Sequence, residues 1–333
     1  MNKKKKLIPF FILIIIILIV WIFVQSKQIS SITKENLDLK NETERLNSNL
    51  DKVQEEVQSN LNLINEYTKE IQSSMSWFKD NSILGETWRE KQAKNELINM
   101  CYSSNSDTCF INLACFYLMN DHFIGLKYKT DIETSFQEDK LQSLENFSLN
   151  GGGDCEDYSL FYKAEYNYLF ELCGEKKINL ESVIFGEDIT KEFYLNNQKT
   201  WYINGEGKIL SEGYIYPNII CGNIYDLETQ LISGHCVIAF TKKEILSISD
   251  LKELDLSPII EPQNGGYMGL INDASSEIYL LKENQESYPN SYIYEIITNN
   301  DLFFFKEENK SWQSYAFFYN ILNKQKETLI ALN

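Results

Sequence analysis

The chain opens on an unbroken apolar run and then switches to a seven-residue repeat. Residues 7–24 carry no charged side chain and are dominated by Ile, Leu and Phe. At 1.5 Å per residue such a helix is roughly 27 Å long, close to the ~30 Å hydrocarbon core of a bilayer. Pro9 falls in the first turn, where a missing N–H is tolerated, and Trp21 suits the far interface. Lys3, Lys4, Lys5 and Lys6 precede the run and predict a cytoplasmic N-terminus, with the rest of the chain outside. A cleaved signal peptide is the competing reading. The length of the run and the absence of an Ala-x-Ala-like site in Val24-Gln25-Ser26-Lys27 favour an uncleaved anchor.

From 27 to 75 there is no Pro, Gly or Cys. With Ile29 at position a, the a series is Ile29, Asn36, Thr43, Leu50, Val57, Ile64 and Ile71. The d series is Ile32, Leu39, Leu46, Val53, Asn60, Tyr67 and Ser74. A heptad held this long predicts a coiled-coil stalk, and Asn36 and Asn60 in the seam favour one register and a small oligomer. The alternative is a single amphipathic helix folding back on its own domain. The expected layout is therefore an anchor over 1–25, a stalk over 26–76 and one domain over 77–333.

That domain divides into a mostly helical lead-in (77–150), a core (151–280) and a C-terminal hairpin with a helix (281–333). Residues 127–150 read as loop and lead into Gly151-Gly152-Gly153. Leu160, Phe161, Ala164, Tyr168 and Leu172 then recur at helical spacing, so Asp154-Cys155-Glu156-Asp157 opens a long helix. Gly234-His235 begins a buried strand, and 257–266 reads as a second strand ending at Glu261-Pro262 and a Gly-rich turn. The chain offers a further strand over 277–281, a hairpin of 291–297 with 302–306, and a terminal helix over 312–332.

The chemistry follows from that layout. A cysteine in the first turn of a helix meets unpaired N–H groups and the positive end of the dipole, which predicts a lowered thiol pKa and a ready oxyanion site. A histidine on one strand and an acid on its neighbour, packed against that helix, would complete a Cys-His-acid triad.

Gly153-Asp154-Cys155-Glu156-Asp157, then Gly234-His235 before an apolar strand, then Glu261-Pro262, resemble the transglutaminase-like cysteine peptidase superfamily. Tyr128, Asp131 and Gln142-Ser143-Leu144-Glu145 look like the segment that precedes its Gly-Asp-Cys motif. The resemblance covers about 77–280. It implies an α+β papain-like core with the Cys on a helix packed on an antiparallel sheet, Cys155 as nucleophile and His235 as base and acid. The family's third member is usually Asp before Pro. Glu261 stands there in this chain, and Asp273 is the rival. The gap from Cys155 to His235 is longer than in compact members, which predicts an insertion over 186–221. Related bacterial proteinases bind calcium through acids in this motif, so Asp154 and Glu156 become candidate ligands, although no cofactor is required by the triad itself.

Composition narrows the reading. Lys plus Arg number 31 against 48 Asp plus Glu, a net charge of −17, which argues against nucleic acid as a partner. His122 and His235 are the only histidines, excluding a multi-histidine metal site. Seven cysteines in an oxidising compartment would leave six paired and one free nucleophile. Asn41, Asn146 and Asn309 begin Asn-x-Ser/Thr triplets. The sequence thus points to a membrane-anchored cysteine peptidase acting on a protein or peptide substrate, able to self-associate through its stalk. The alternative is a catalytically silent binding module or scaffold at the cell surface.

Overall fold

The computed structural model describes residues 7–137, 140–182, 208–210, 212–225, 232–263, 265–272, 292–306 and 308–332. The chain falls into two compact units, residues 1–66 with 323–333, and residues 67–322.

The first unit is built on α1 (Leu7–Asp80), a single helix of 74 residues that contains the apolar run and the heptads without a break. After Pro9 the sequence has no helix breaker before Gly85, so nothing interrupts the i to i−4 ladder. Among the described residues this is the helix long and apolar enough to cross a membrane.

The second unit is α+β. It begins with the last turns of α1, which end where Asn81 and Ser82 hydrogen-bond back to the Trp77 and Lys79 carbonyls. Next come α2 (Trp88–Glu96), β1 (Tyr102–Ser104), β2 (Thr108–Asn112), α3 (Ala114–Met119), β3 (Lys127–Tyr128), α4 (Asp131–Ser135), α5 (Leu144–Asn150), β4 (Gly152–Gly153) and α6 (Cys155–Cys173). The strands β5 (Lys177–Ser182), β6 (Lys208–Ile209), β7 (Tyr216–Tyr225), β8 (Ile232–Thr241), β9 (Pro258–Ile260), β10 (Tyr267–Leu270), β11 (Tyr292–Ile297), β12 (Leu302–Lys306) and β13 (Ser311–Ser314) follow. The last element, α7 (Tyr315–Leu332), begins in this unit, and its residues from 323 onward belong to the first.

The main sheet runs β10-β9-β8-β7-β11-β12-β13, antiparallel throughout. A second sheet runs β1-β2-β5-β6, with β2 and β5 parallel, and β3 pairs in parallel with β4. Both faces of the main sheet are buried, which is why β8 reads as a continuous apolar run rather than an alternating one. Cys236, Ile238 and Phe240 join the core shared with α6, while Val237 and Ala239 join a second core with Ile259, Ile293 and Phe303.

Helix α6 is buried on nearly every side, and its polar side chains are tied to backbone. The hydroxyl of Tyr162 donates to the Leu113 carbonyl at 2.8 Å and that of Tyr166 to the Ile215 carbonyl at 2.7 Å. Lys163 Nζ donates to the Thr298 carbonyl and to Asn299 Oδ1, and burial lowers its pKa to about 7. Disulfide Cys109–Cys173 links the far end of α6 to β2 across 64 residues, worth about 4 kcal/mol by loop closure. Cys101–Cys115 and Cys221–Cys236 each close a short loop, worth about 3 kcal/mol.

The lead-in is mixed and mostly helical, with β1, β2 and β3 among its helices. Two local expectations are corrected. The loop-like run 127–150 holds α4 and α5, each started by a cap: Thr130 with Glu133, and Ser143. Residues 311–314 are drawn into the sheet against β12, so the terminal helix starts at Tyr315 instead of 312. The expected strand over 277–281 and most of the insertion over 186–221 lie outside the described residues.

Candidate active site

The glycines set the approach to the site. Gly151 closes α5 in the left-handed region, at φ 74°. Gly152 and Gly153 then pair with Lys127 and Tyr128. Gly152 has φ +134°, and a Cβ there would lie 1.8 Å from the Lys127 carbonyl oxygen. A Cβ on Gly153 would meet Asp157 Oδ2 at 2.1 Å. Only glycine lets the chain pass this close to β3 and deliver Asp154 and Cys155 to the start of α6. Gly152→Ala is expected to lower stability by about 3 kcal/mol or more, read from the urea midpoint. A loss below about 1 kcal/mol would mean the β3–β4 pairing is dispensable.

Cys155 is the first residue of α6 and is free, while the other six cysteines are paired. The pairing puts Cys101 with Cys115 rather than with nearby Cys109, because β2 carries Cys109 to the end of α6. Cys155 is half-buried. Its thiol donates to Glu156 Oε2 at 3.1 Å and is also hydrogen-bonded by the backbone of Cys236. Ser159 Oγ bonds the Cys236 carbonyl at 3.1 Å, clamping the start of α6 to β8. Cys155 Sγ and Cys236 Sγ lie within 4.8 Å of each other, and the disulfide to Cys221 occupies Cys236.

This environment reverses the expected thiol pKa. Burial, and after it the Glu156 carboxylate beside the sulfur, push the Cys155 thiol well above its usual value. A helix N-terminus contributes only about 0.3–1 kcal/mol to an anion, which desolvation and a neighbouring negative charge outweigh.

His235 follows Gly234 on β8, directly before Cys236. Its Nε2 lies 2.6 Å from Glu261 Oε2, with both side chains largely shielded from solvent. Glu261 leaves β9 beside β8, where Ile260 pairs with Ile238. Its backbone closes the turn with Gly265 and Gly266, and its other carboxylate oxygen accepts from the Gln263 N–H at 3.1 Å. The carboxylate is thereby held against the imidazole. The rival acid, Asp273, lies outside the described residues.

A second constellation adjoins the thiol. Carboxylate oxygens of Asp131, Asp154 and Glu156 lie within 4.8 Å of one another. Asp131 is buried, and its Oδ2 accepts from the Lys140 N–H at 2.5 Å. Asp154 Oδ1 is buried with no hydrogen-bond partner among the described residues. Burial, then the Glu156 charge, push the Asp154 carboxyl up to about 9. Three converging hard oxygens, one of them lacking a donor, fit a calcium-type cation. Asp131 escaped the sequence reading as a ligand, since 23 residues separate it from Asp154; only its place in the lead-in motif marked it. Asp157, the remaining acid of the motif, turns away and accepts from the Gln142 N–H at 2.7 Å and from Gln142 Nε2. It fixes the lead-in instead.

Beside the site a cleft of about 170 Å³ is lined by Tyr117, Tyr128, Tyr158 and Gln263, with Asp121 and Lys127 ion-paired at its edge. Burial, and after it the nearby Cys155 and Asp154, raise the Tyr128 pKa.

No family model matches the chain, and no curated protein does. Among solved structures, Legionella pneumophila LapG in EGTA-treated form is 15% identical, with 79% of this chain and 97% of that chain covered and a TM-score of 0.32. Calcium-bound LapG from the same organism is 15% identical over 79% of this chain and 98% of that chain, with a TM-score of 0.31. A third structure of that LapG is 16% identical over 79% and 97%, also with a TM-score of 0.31. Scores this low leave the functional reading to the geometry of the site.

Proposed function

We propose that the chain is a membrane-anchored, transglutaminase-like cysteine peptidase whose domain faces an oxidising compartment. The observation that carries the reading is the 2.6 Å contact of His235 with Glu261, on the residue next to the backbone that holds the free thiol of Cys155. Three disulfides support the compartment, and the apolar stretch of α1 supports the anchor, with Lys3–Lys6 cytoplasmic.

In this reading His235 takes the thiol proton through Nδ1, since Glu261 holds Nε2. Cys155 Sγ attacks the carbonyl carbon of a peptide bond, and backbone N–H groups at the start of α6 receive the oxyanion. His235 returns the proton to the leaving amine, and water then hydrolyses the thioester. Glu261 orients the ring and balances the imidazolium charge. Asp131, Asp154 and Glu156 would hold a calcium ion, which supplies positive charge to the acid cluster next to the nucleophile.

The raised thiol pKa favours a second reading, a silent module that binds a peptide in the same groove. The two separate in cells. Restoring the wild-type chain to cells lacking it should create new N-termini on surface proteins, and Cys155→Ala should create none. Identical N-termini with both chains would leave the silent module standing.

A further inference from the structure

We propose that residues 29–53 of α1 form the seam of a parallel, two-stranded coiled coil with a second copy of this chain. Ile29, Ile32, Leu39, Leu46, Leu50 and Val53, all a or d positions, are between 54% and 63% exposed. One turn further on the pattern changes. Leu61 is buried, and Val57, Ile64, Ile71 and Met75 are half-buried. Here the covered side chains move from the a/d seam to a and e. The chain thus covers its own apolar stripe from residue 57 onward and leaves the four heptads before it bare. Six large apolar side chains in one line are more than an isolated helix keeps in water.

The chemistry of the bare stripe selects its occupant. In a parallel pair Glu35 at g faces Lys40 at e of the other copy, and the remaining g–e contacts, Gln28 with Thr33, Glu42 with Asn47 and Asn49 with Gln54, bring no like charges together. Asn36 at a can pair with its own counterpart only when the two helices are in register, which also favours two strands. Thr43 at a has already spent its hydroxyl on the Leu39 carbonyl at 2.8 Å, so it enters the seam without an unsatisfied donor. Two chains whose apolar runs enter one bilayer from the same side can meet only in parallel. A second copy therefore satisfies the orientation, the charges and the buried polar positions together.

Single cysteines placed in the full-length chain, in a Cys155→Ser background and in native membranes, test this. Leu39→Cys and Leu46→Cys, at d, should oxidise to covalent dimers at least about tenfold more readily than Asn41→Cys and Ser48→Cys at f. Mixed Ile32→Cys and Leu50→Cys chains, a d and an a position that would meet only in an antiparallel pair, should not crosslink. Light scattering of the wild-type chain in detergent should give a protein mass of twice 38.9 kDa. Leu39→Asp with Leu46→Asp should halve that mass while the three disulfides and the unfolding midpoint of the second unit persist. A monomeric or trimeric wild-type chain, equal crosslinking at d and f, or crosslinking of the mixed pair would each overturn the proposal.

Discussion

Replacing His235 by Ala is expected to lower turnover of a susceptible peptide by about 10³-fold, near 4 kcal/mol of transition-state stabilisation. In the proposed mechanism the imidazole moves the thiol proton, and burial with the Glu156 carboxylate leaves that thiol little tendency to ionise by itself. Glu261→Gln is expected to cost about 10²-fold, because the amide can still touch Nε2 but no longer balances an imidazolium charge. The two losses should fall on kcat rather than KM, since neither side chain lines the adjacent cleft. Asp273→Asn is the comparison. If it abolished activity while Glu261→Gln left it intact, the orienting role would pass to Asp273. If His235→Ala retained wild-type turnover, the peptidase mechanism would fail altogether.

Calcium should raise the thermal midpoint of the full-length chain, and Asp131→Ala should remove most of the rise. Saturation at a hundredfold above Kd corresponds to about 2.7 kcal/mol. For a domain of this size that is roughly 5–10 °C. Physical support comes from the orphaned Asp154 oxygen and from three carboxylates whose oxygens lie within 4.8 Å of one another. Magnesium should have a smaller effect, because it dehydrates reluctantly and demands near-ideal octahedral geometry, where calcium accepts flexible carboxylate sites. Asp157→Asn should leave the calcium response in place, since that carboxylate is committed to Gln142. A midpoint indifferent to both calcium and chelator would remove the cation from the site without touching the His235–Glu261 pair.

Much of this arrangement is written locally. A stretch without Gly or Pro, apolar at one end and heptad-patterned at the other, has no alternative to one long helix, and α1 is that helix. Three glycines before an acid and a cysteine announce a tight approach followed by a helix start, because no other residue tolerates the positive φ and the contact with Lys127. Gly234-His235 at the start of one apolar run and Glu261-Pro262 at the end of another mark the imidazole and the carboxylate, which the pairing of β8 with β9 brings together. An odd number of cysteines predicts one free thiol.

What depends on contacts far apart in sequence could not be read this way. Disulfide partners follow from which strand lies against which helix, so Cys109 meets Cys173 and leaves Cys115 for Cys101. Asp131 joins Asp154 and Glu156 only because β3 pairs with β4 and carries α4 to the start of α6. The thiol pKa is the sharpest case. Sequence places Cys155 at a helix N-terminus, whose dipole acts over one turn and at a fraction of a kcal/mol to about one. Burial against β8 and the carboxylate of Glu156 are set by packing, and their larger effect reverses the sign. Sequence alone marked Cys155, His235 and Glu261; tertiary structure brought Asp131 to the acid cluster and decided the solvation and the neighbouring charge of the thiol, because desolvation depends on everything that surrounds a group and not on the residues beside it in the chain.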